Sequence, residues 1–285
     1  MSSLLPHFSA LAEDYDALLC DVWGVVHNGI AAFPEACDAL MRARARGVAV
    51  ILITNAPRPS AVVARQLEKL RVPREVYDSI VSSGDVTRAV VQARRGQNPY
   101  HLGPERDRSI FTGLDVTFAP LETADYVVCS GLDDDEAETP EDDRAQLQQM
   151  LERKLFMVSA NPDVVLESGT KHIYCAGAIA DLYATMGGEV LYAGKPYRPI
   201  YELAVKKAEE AEGKAVPLRR IMAVGDSLRT DLKGAHAFGV DFLFVTSGIH
   251  GEELGGRDTP DPAALKAAFA AAGEIPKAVM SKLAW

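Results

Sequence analysis

The stretch "LLCDVWGVVHNG", residues 18–29, decides the fold. Leu18, Leu19 and Cys20 form an uninterrupted apolar run, as expected of a strand buried on both faces in a parallel sheet. Asp21 follows at once, and Gly24 and Gly29 bracket the loop behind it. A carboxylate at the carboxyl end of such a strand is costly to bury unless it is used, and in open α/β sheets that end is where ligands collect. Trp23, two residues on, poses a second question, because an indole does none of the work of an acid.

Working outward, similar apolar runs recur at 17–22, 48–54, 125–130, 155–160, 220–226 and 241–248. Between several of them lie patterns of helical spacing, such as Val63, Leu67 and Leu70. This alternation predicts α/β architecture: a Rossmann-like, three-layer core with a parallel sheet covered by helices on both faces. The runs that end in polar residues, at Asp21, at Thr54-Asn55 and at Asp226, come from the two ends of the chain. The expected division is therefore a core from residues 1–83 and 190–285, with an α/β domain inserted over 84–189.

A chain of 285 residues with 48% hydrophobic content is long enough for one large or two unequal domains with full cores. It has 40 acidic against 30 basic side chains, for a formal charge of −10, which argues against a phosphate-backbone binder, since that would show a basic stripe. A small anionic substrate remains compatible, since backbone amides, a metal and one lysine make a site locally positive. The first 16 residues lack a basic segment followed by a long apolar run, and no later run reaches membrane-spanning length, so a soluble cytoplasmic protein is expected. Cys20, Cys37, Cys129 and Cys175 show no metal-ligand spacing and read as buried free thiols.

The acidic segment "GLDDDEAETPEDDRAQL", residues 131–147, lacks the alternating ligands and central glycine of an EF-hand. It reads instead as the start of a helix, with Thr139 as N-cap and Pro140 at the first helical position.

Four pieces in order carry chemistry: "DVWGVVHNG" at 21, "LITNAPRPS" at 52, "GKPYRPIY" at 194 and "GDSLRTD" at 225. Taken singly, a strand-end aspartate is often a helix cap, Thr54-Asn55 a turn, and Gly194-Lys195-Pro196 a loop. Together they resemble the haloacid dehalogenase superfamily, in its class IIA capped branch, which includes sugar-phosphate, pyridoxal-phosphate and nitrophenyl-phosphate phosphatases. "SANPD" at 159–163 and "VSSGDVT" at 81–87 are similar to that branch as well. The resemblance implies a Mg2+-dependent phosphohydrolase acting on a small, sugar-phosphate-like metabolite.

On that resemblance Asp21 attacks phosphorus to form a phosphoaspartate, splitting one hard displacement into two easier ones. Asp21, the Trp23 carbonyl and Asp226 supply the metal ligands, and Asp231 orients the site from behind. Thr54 offers a hydroxyl, Asn55 a backbone amide and Lys195 a compact positive charge. Asn161 and Asp163 are expected in the cap loop nearest the substrate, with helix initiation before Val164 and Val165 as the competing role of Asp163. The implied partners are that substrate and a second copy of the chain through the cap, with neither nucleic acid nor membrane.

The resemblance also implies a second aspartate, two residues after the nucleophile, as proton shuttle. Here Trp23 takes its place. Three readings stay open: a phosphatase in which another group, such as His27 or Asp163, supplies the proton; acyl-phosphate or phosphotransfer chemistry that needs none; or a phospholigand-binding protein with weakened turnover. His27 itself reads as a packing or loop residue.

Overall fold

A computed structural model describes residues 4–134, 137–168 and 171–285. In chain order the strands are β1 (Ala17–Asp21), β2 (Ala49–Thr54), β3 (Ser79–Ser82), β4 (Pro99–Leu102), β5 (Tyr126–Cys129), β6 (Met157–Ser159), β7 (Val165–Ser168), β8 (Lys171–Tyr174), β9 (Val190–Tyr192), β10 (Ile221–Gly225), β11 (Asp241–Val245) and β12 (Ala278–Met280). The helices are α1 (Pro34–Ala45), α2 (Ser60–Lys69), α3 (Ser83–Ala93), α4 (Arg144–Glu152), α5 (Ala176–Thr185), α6 (Arg198–Glu212), α7 (Lys233–Phe238) and α8 (Pro262–Ala272). The chain divides into two compact units. One comprises the stretch up to Thr54, Ala61–Val81 and Ile200–Trp285; the other comprises Asn55–Ser60 and Ser82–Pro199.

The first unit is built on a six-stranded sheet in the order β12-β11-β10-β1-β2-β3. β1 pairs in parallel with both β10 and β2, and β10 with β11. Every residue of β1 and of β10 is buried, which is why both strands are written in continuous apolar residues rather than in alternation. The chain proceeds from β1 to β2 and β3 on one side and returns to β10 and β11 on the other. The order therefore reverses at β1, the crevice position at which such sheets bind ligands.

The second unit has its own sheet, β4-β5-β6-β9, with parallel pairing throughout. Alternate residues of β5 serve two faces: Val127 and Cys129 pack with Leu147, Met150, Ile179 and Tyr183, while Tyr126 and Val128 pack with Val91, Ile110 and Phe111. β9, Val190–Tyr192, hydrogen-bonds into this sheet although it lies beyond residue 189, where the inserted segment was expected to end. Asn55–Ser60 also groups with this unit. α3 is started by a capping box in which Ser82 and Asp85 satisfy each other's backbone N–H groups.

Two local expectations are corrected. α4 begins at Arg144 rather than at Pro140. The Asp142 carboxylate accepts both the N–H and the hydroxyl of Thr139, at 2.8 and 2.9 Å. Residues 139–144 are joined by the tighter i→i+3 bonds, Asp142 N–H to the Thr139 carbonyl and Arg144 N–H to the Glu141 carbonyl, before Leu147 N–H bonds the Asp143 carbonyl in the α-helical pattern. Nor does Asp163 start a helix: Val165 opens β7, which pairs antiparallel with β8. The four cysteines are buried and free, as expected. Among the described residues no helix is long and apolar enough to cross a membrane.

Candidate active site

Register places the acidic residues of the first unit. Cys20 pairs with Val224 and Asp21 with Ile53, so Asp21, Thr54 and Asp226 leave three adjacent parallel strands at the same level. Asp21, Asp226 and Asp231 each bring a carboxylate oxygen within 4.8 Å of the others, and all three residues are buried. The chain wraps Asp226 closely. A Cβ on Gly24 or on Gly248 would overlap its carboxylate, and Gly24 also has φ +85°, which disfavours other residues. The Ile249 N–H donates to Asp226 Oδ2 at 2.8 Å. Asp231 Oδ2 accepts the Ser227 N–H at 3.1 Å, while the Tyr201 hydroxyl donates to the Asp231 carbonyl at 3.4 Å.

Three like charges gathered in a buried cradle repel one another unless a cation lies among them. An all-oxygen, carboxylate-rich donor set suits a hard divalent ion. The residues present therefore fit a divalent metal.

The loop after Asp21 is closed by its own backbone. The Gly24 N–H donates to the His27 carbonyl at 2.8 Å and the Phe33 N–H to the Val26 carbonyl at 2.8 Å. His27 is 4% exposed, and its Nδ1 accepts the Gly29 N–H at 2.9 Å. Burial lowers its pKa below the ordinary histidine value, so it is a neutral fastener of the loop. Trp23 is the opposite case. The residue is 46% exposed and lies by the same turn, where a Cβ on Gly29 would lie 3.4 Å from its Nε1.

In the second unit, Asn55 ties together segments far apart in sequence. Its Oδ1 accepts the Lys195 N–H at 2.7 Å, while its Nδ2 donates to the Lys195 carbonyl at 3.0 Å and to Asp163 Oδ1 at 2.9 Å. The Ser83 hydroxyl reaches Asn55 Oδ1 at 3.5 Å. Gly194 must lack a side chain, since a Cβ there would overlap Ser83 Oγ and Asn55 Oδ1. Lys195 is buried, and a cis peptide joins it to Pro196. Asn161, also buried, accepts the Asp163 N–H on its Oδ1 at 3.0 Å and so folds the turn that carries Asp163.

The residues singled out in the sequence thus fall into two groups. Asp21, Trp23, Thr54, Asp226 and Asp231 belong to the first unit, and Asn55, Asn161, Asp163 and Lys195 to the second. Sequence reasoning gave Asn55 only a backbone amide and missed its side-chain hub. It quoted Ser83 and Gly194 only within longer motifs, without a role, and passed over Gly248. A signal for Ser83 was present in the Ser-Ser-Gly-Asp helix start; Gly248 carried none, because its role depends on an aspartate 22 residues earlier.

Comparisons with known proteins agree on the family. A family model described as haloacid dehalogenase-like hydrolase matches residues 18–117, and a second, HAD-hydrolase-like, matches residues 192–272. A solved structure of a hydrolase of the haloacid dehalogenase-like family from Brucella suis 1330 is 44% identical, covers 98% of this chain and all of its own, and superposes with a TM-score of 0.84. The 5'-nucleotidase YutF of Bacillus subtilis is 25% identical over 83% of this chain and 89% of its own length. The ribonucleotide monophosphatase NagD of Escherichia coli is 23% identical over 81% and 88%. With its Asp21, Asp226 and Asp231 cluster at the switch point of a parallel sheet, this chain belongs to the haloacid dehalogenase-like hydrolase family.

Proposed function

We propose that the protein is a Mg2+-dependent phosphohydrolase of small phosphorylated metabolites that works through a phosphoaspartate on Asp21. The observation that carries this reading is the buried trio Asp21, Asp226 and Asp231, with Asp21 at the end of β1. The phosphatase names borne by the YutF and NagD relatives support it.

Asp21, the Trp23 carbonyl and Asp226 would hold the cation. When bound, it neutralises phosphate charge so that an anionic nucleophile can approach. Asp21 then attacks phosphorus in line with the leaving oxygen. Asp231 holds the Ser227 backbone, and with it the chain carrying Asp226. Thr54 donates a hydroxyl to the phosphoryl oxygens and Lys195 a positive charge. Asn55 fixes Lys195 by gripping its backbone on both sides. Asn161 and Asp163 act toward the substrate, Asn161 by shaping the turn that presents Asp163.

The test is phosphate release from a panel of phosphate esters and anhydrides, with and without Mg2+. Turnover that requires the metal and falls at least about 10³-fold in Asp21→Asn supports the proposal. Turnover undiminished in that variant refutes it, and binding of phosphorylated ligands without release would mark a binding protein.

A further inference from the structure

We infer that His250 is a positioning residue of the cation site: with Glu253 behind it, its imidazole holds in place the chain that carries Asp226. The inference rests on the reading above that Asp226 grips the divalent cation, and it names the device that aims this carboxylate. All the residues concerned belong to the first unit.

Asp226 follows β10, and the chain then enters the helical turn Leu228–Leu232. The first N–H groups of a helical turn have no partner inside it and must find one elsewhere. Two are met locally: the Ser227 N–H by Asp231 Oδ2 at 3.1 Å, and the Thr230 N–H by Ser227 Oγ at 3.2 Å. The Leu228 N–H is met from the loop after β11, by His250 Nε2 at 3.3 Å. One residue earlier in that loop, the Ile249 N–H donates to Asp226 Oδ2 at 2.8 Å. Consecutive residues of the loop thus clasp both the Asp226 carboxylate and the backbone two positions beyond it. Little slack is left, because Gly248 lies so close that a Cβ there would overlap the carboxylate.

These bonds fix the state of the imidazole. An Nε2 that accepts an N–H carries no hydrogen, so in the neutral ring the hydrogen sits on Nδ1. Nδ1 faces Glu253 Oε2 at 2.9 Å, and this carboxylate is the acceptor that holds the tautomer. The pair resembles the arrangement in which a carboxylate orients a metal-bound histidine, with a backbone N–H in the metal's place. The His250 side chain is 16% exposed and lies beside the Phe244 ring, while that of Glu253 is 76% exposed, so the anchor reaches in from the surface. The loop also has bonds of its own, from the Gly251 N–H to the Gly248 carbonyl at 3.1 Å and from the Leu254 N–H to the His250 carbonyl at 3.0 Å. Those bonds shape the loop, whereas the imidazole and the Ile249 N–H join it to the Asp226 chain. Without the imidazole, the clasp loses the point that does not depend on the carboxylate itself.

The experiment measures Mg2+ affinity by calorimetry in the wild-type protein, His250→Leu and His250→Gln, alongside urea midpoints. Leucine fills the space but accepts no hydrogen bond, whereas glutamine places an amide oxygen near the position of Nε2. Affinity should fall by about 10- to 100-fold in His250→Leu, as for lost supports of metal ligands, and return to near the wild-type value in His250→Gln. Wild-type affinity in a folded His250→Leu protein, with only its stability lowered, would overturn the inference and leave His250 a plain loop residue. A second measurement needs no variant at position 250 to fold. Nitrogen NMR of histidine-labelled protein, at a pH above the ordinary histidine range, should find the His250 hydrogen on Nδ1 in the wild type and shifted towards Nε2 in Glu253→Ala. A wild-type hydrogen on Nε2 would overturn the inference, because that nitrogen could not then accept the Leu228 N–H. Wild-type protein that binds no Mg2+ would instead overturn the reading of the cation site beneath it.

Discussion

Lys195 and Asn55, 140 positions apart, are joined reciprocally: the Lys195 N–H donates to Asn55 Oδ1 at 2.7 Å, and Asn55 Nδ2 donates back to the Lys195 carbonyl at 3.0 Å. A primary amide carries a donor and an acceptor side by side on one planar group, and so can answer both halves of a peptide in this way. The same Nδ2 reaches Asp163, so a single residue sets the backbone of the lysine and the side chain of the acid. Asn55→Ala should leave a buried N–H and a carbonyl unpaired and cost about 2–5 kcal/mol, read as a lowered urea midpoint. Asn55→Asp should be no better, because its second oxygen would face both the Lys195 carbonyl and Asp163. Full stability in either variant would contradict the hub.

The carboxylate of Asp226 is held by the absence of side chains around it. Gly248→Ala places a Cβ on that carboxylate, so the aspartate must move. Calorimetry should show divalent-cation affinity falling by about 10- to 100-fold, as for lost supports of metal ligands, with overpacking costing about 1–3 kcal/mol. Asp226→Asn should weaken binding at least as much by removing the charge itself. Wild-type affinity in both variants would show that the cation is held elsewhere.

His101 makes the second unit acid-sensitive. Burial, with a smaller contribution from Arg108, lowers its pKa from 6.5 to about 4. Its Nε2 lies 2.9 Å from Ser130 Oγ, and its ring meets Phe111 edge-on at 5.3 Å. Between those two pH values the unfolded chain binds a proton that the folded one refuses, so stability falls as pH is lowered from about 6.5 towards 4. His101→Gln should flatten that part of the profile, measured as urea midpoints across the range. An unchanged slope would assign the sensitivity to other groups.

Much of this was legible in the sequence. The runs that became β1, β2, β5, β6, β10 and β11 were read because strands buried on both faces are written in unbroken apolar residues. Asp21, Thr54 and Asp226 were read because each ends such a run. The short strands escaped: β4 at Pro99–Leu102 and β9 at Val190–Tyr192 alternate or mix residue types, and only their partners fix them. The start of α4 was misplaced because Thr139-Pro140 has the composition of a helix start, and composition does not separate the i→i+3 turns over 139–144 from the α-helical turns that follow. The Asn55 hub and the Gly248 contact join residues that no local pattern links.

The account stands on Asp21 as the phosphoryl acceptor, and the most direct test is to catch it. The protein is mixed with acetyl phosphate and Mg2+, quenched in acid within the first turnover, and digested for peptide mass analysis. The prediction is one added phosphoryl group on the peptide containing Asp21, absent in Asp21→Asn and when Asp226→Asn replaces the wild type. An adduct on a different residue, or turnover with no adduct at any quench time, would contradict it.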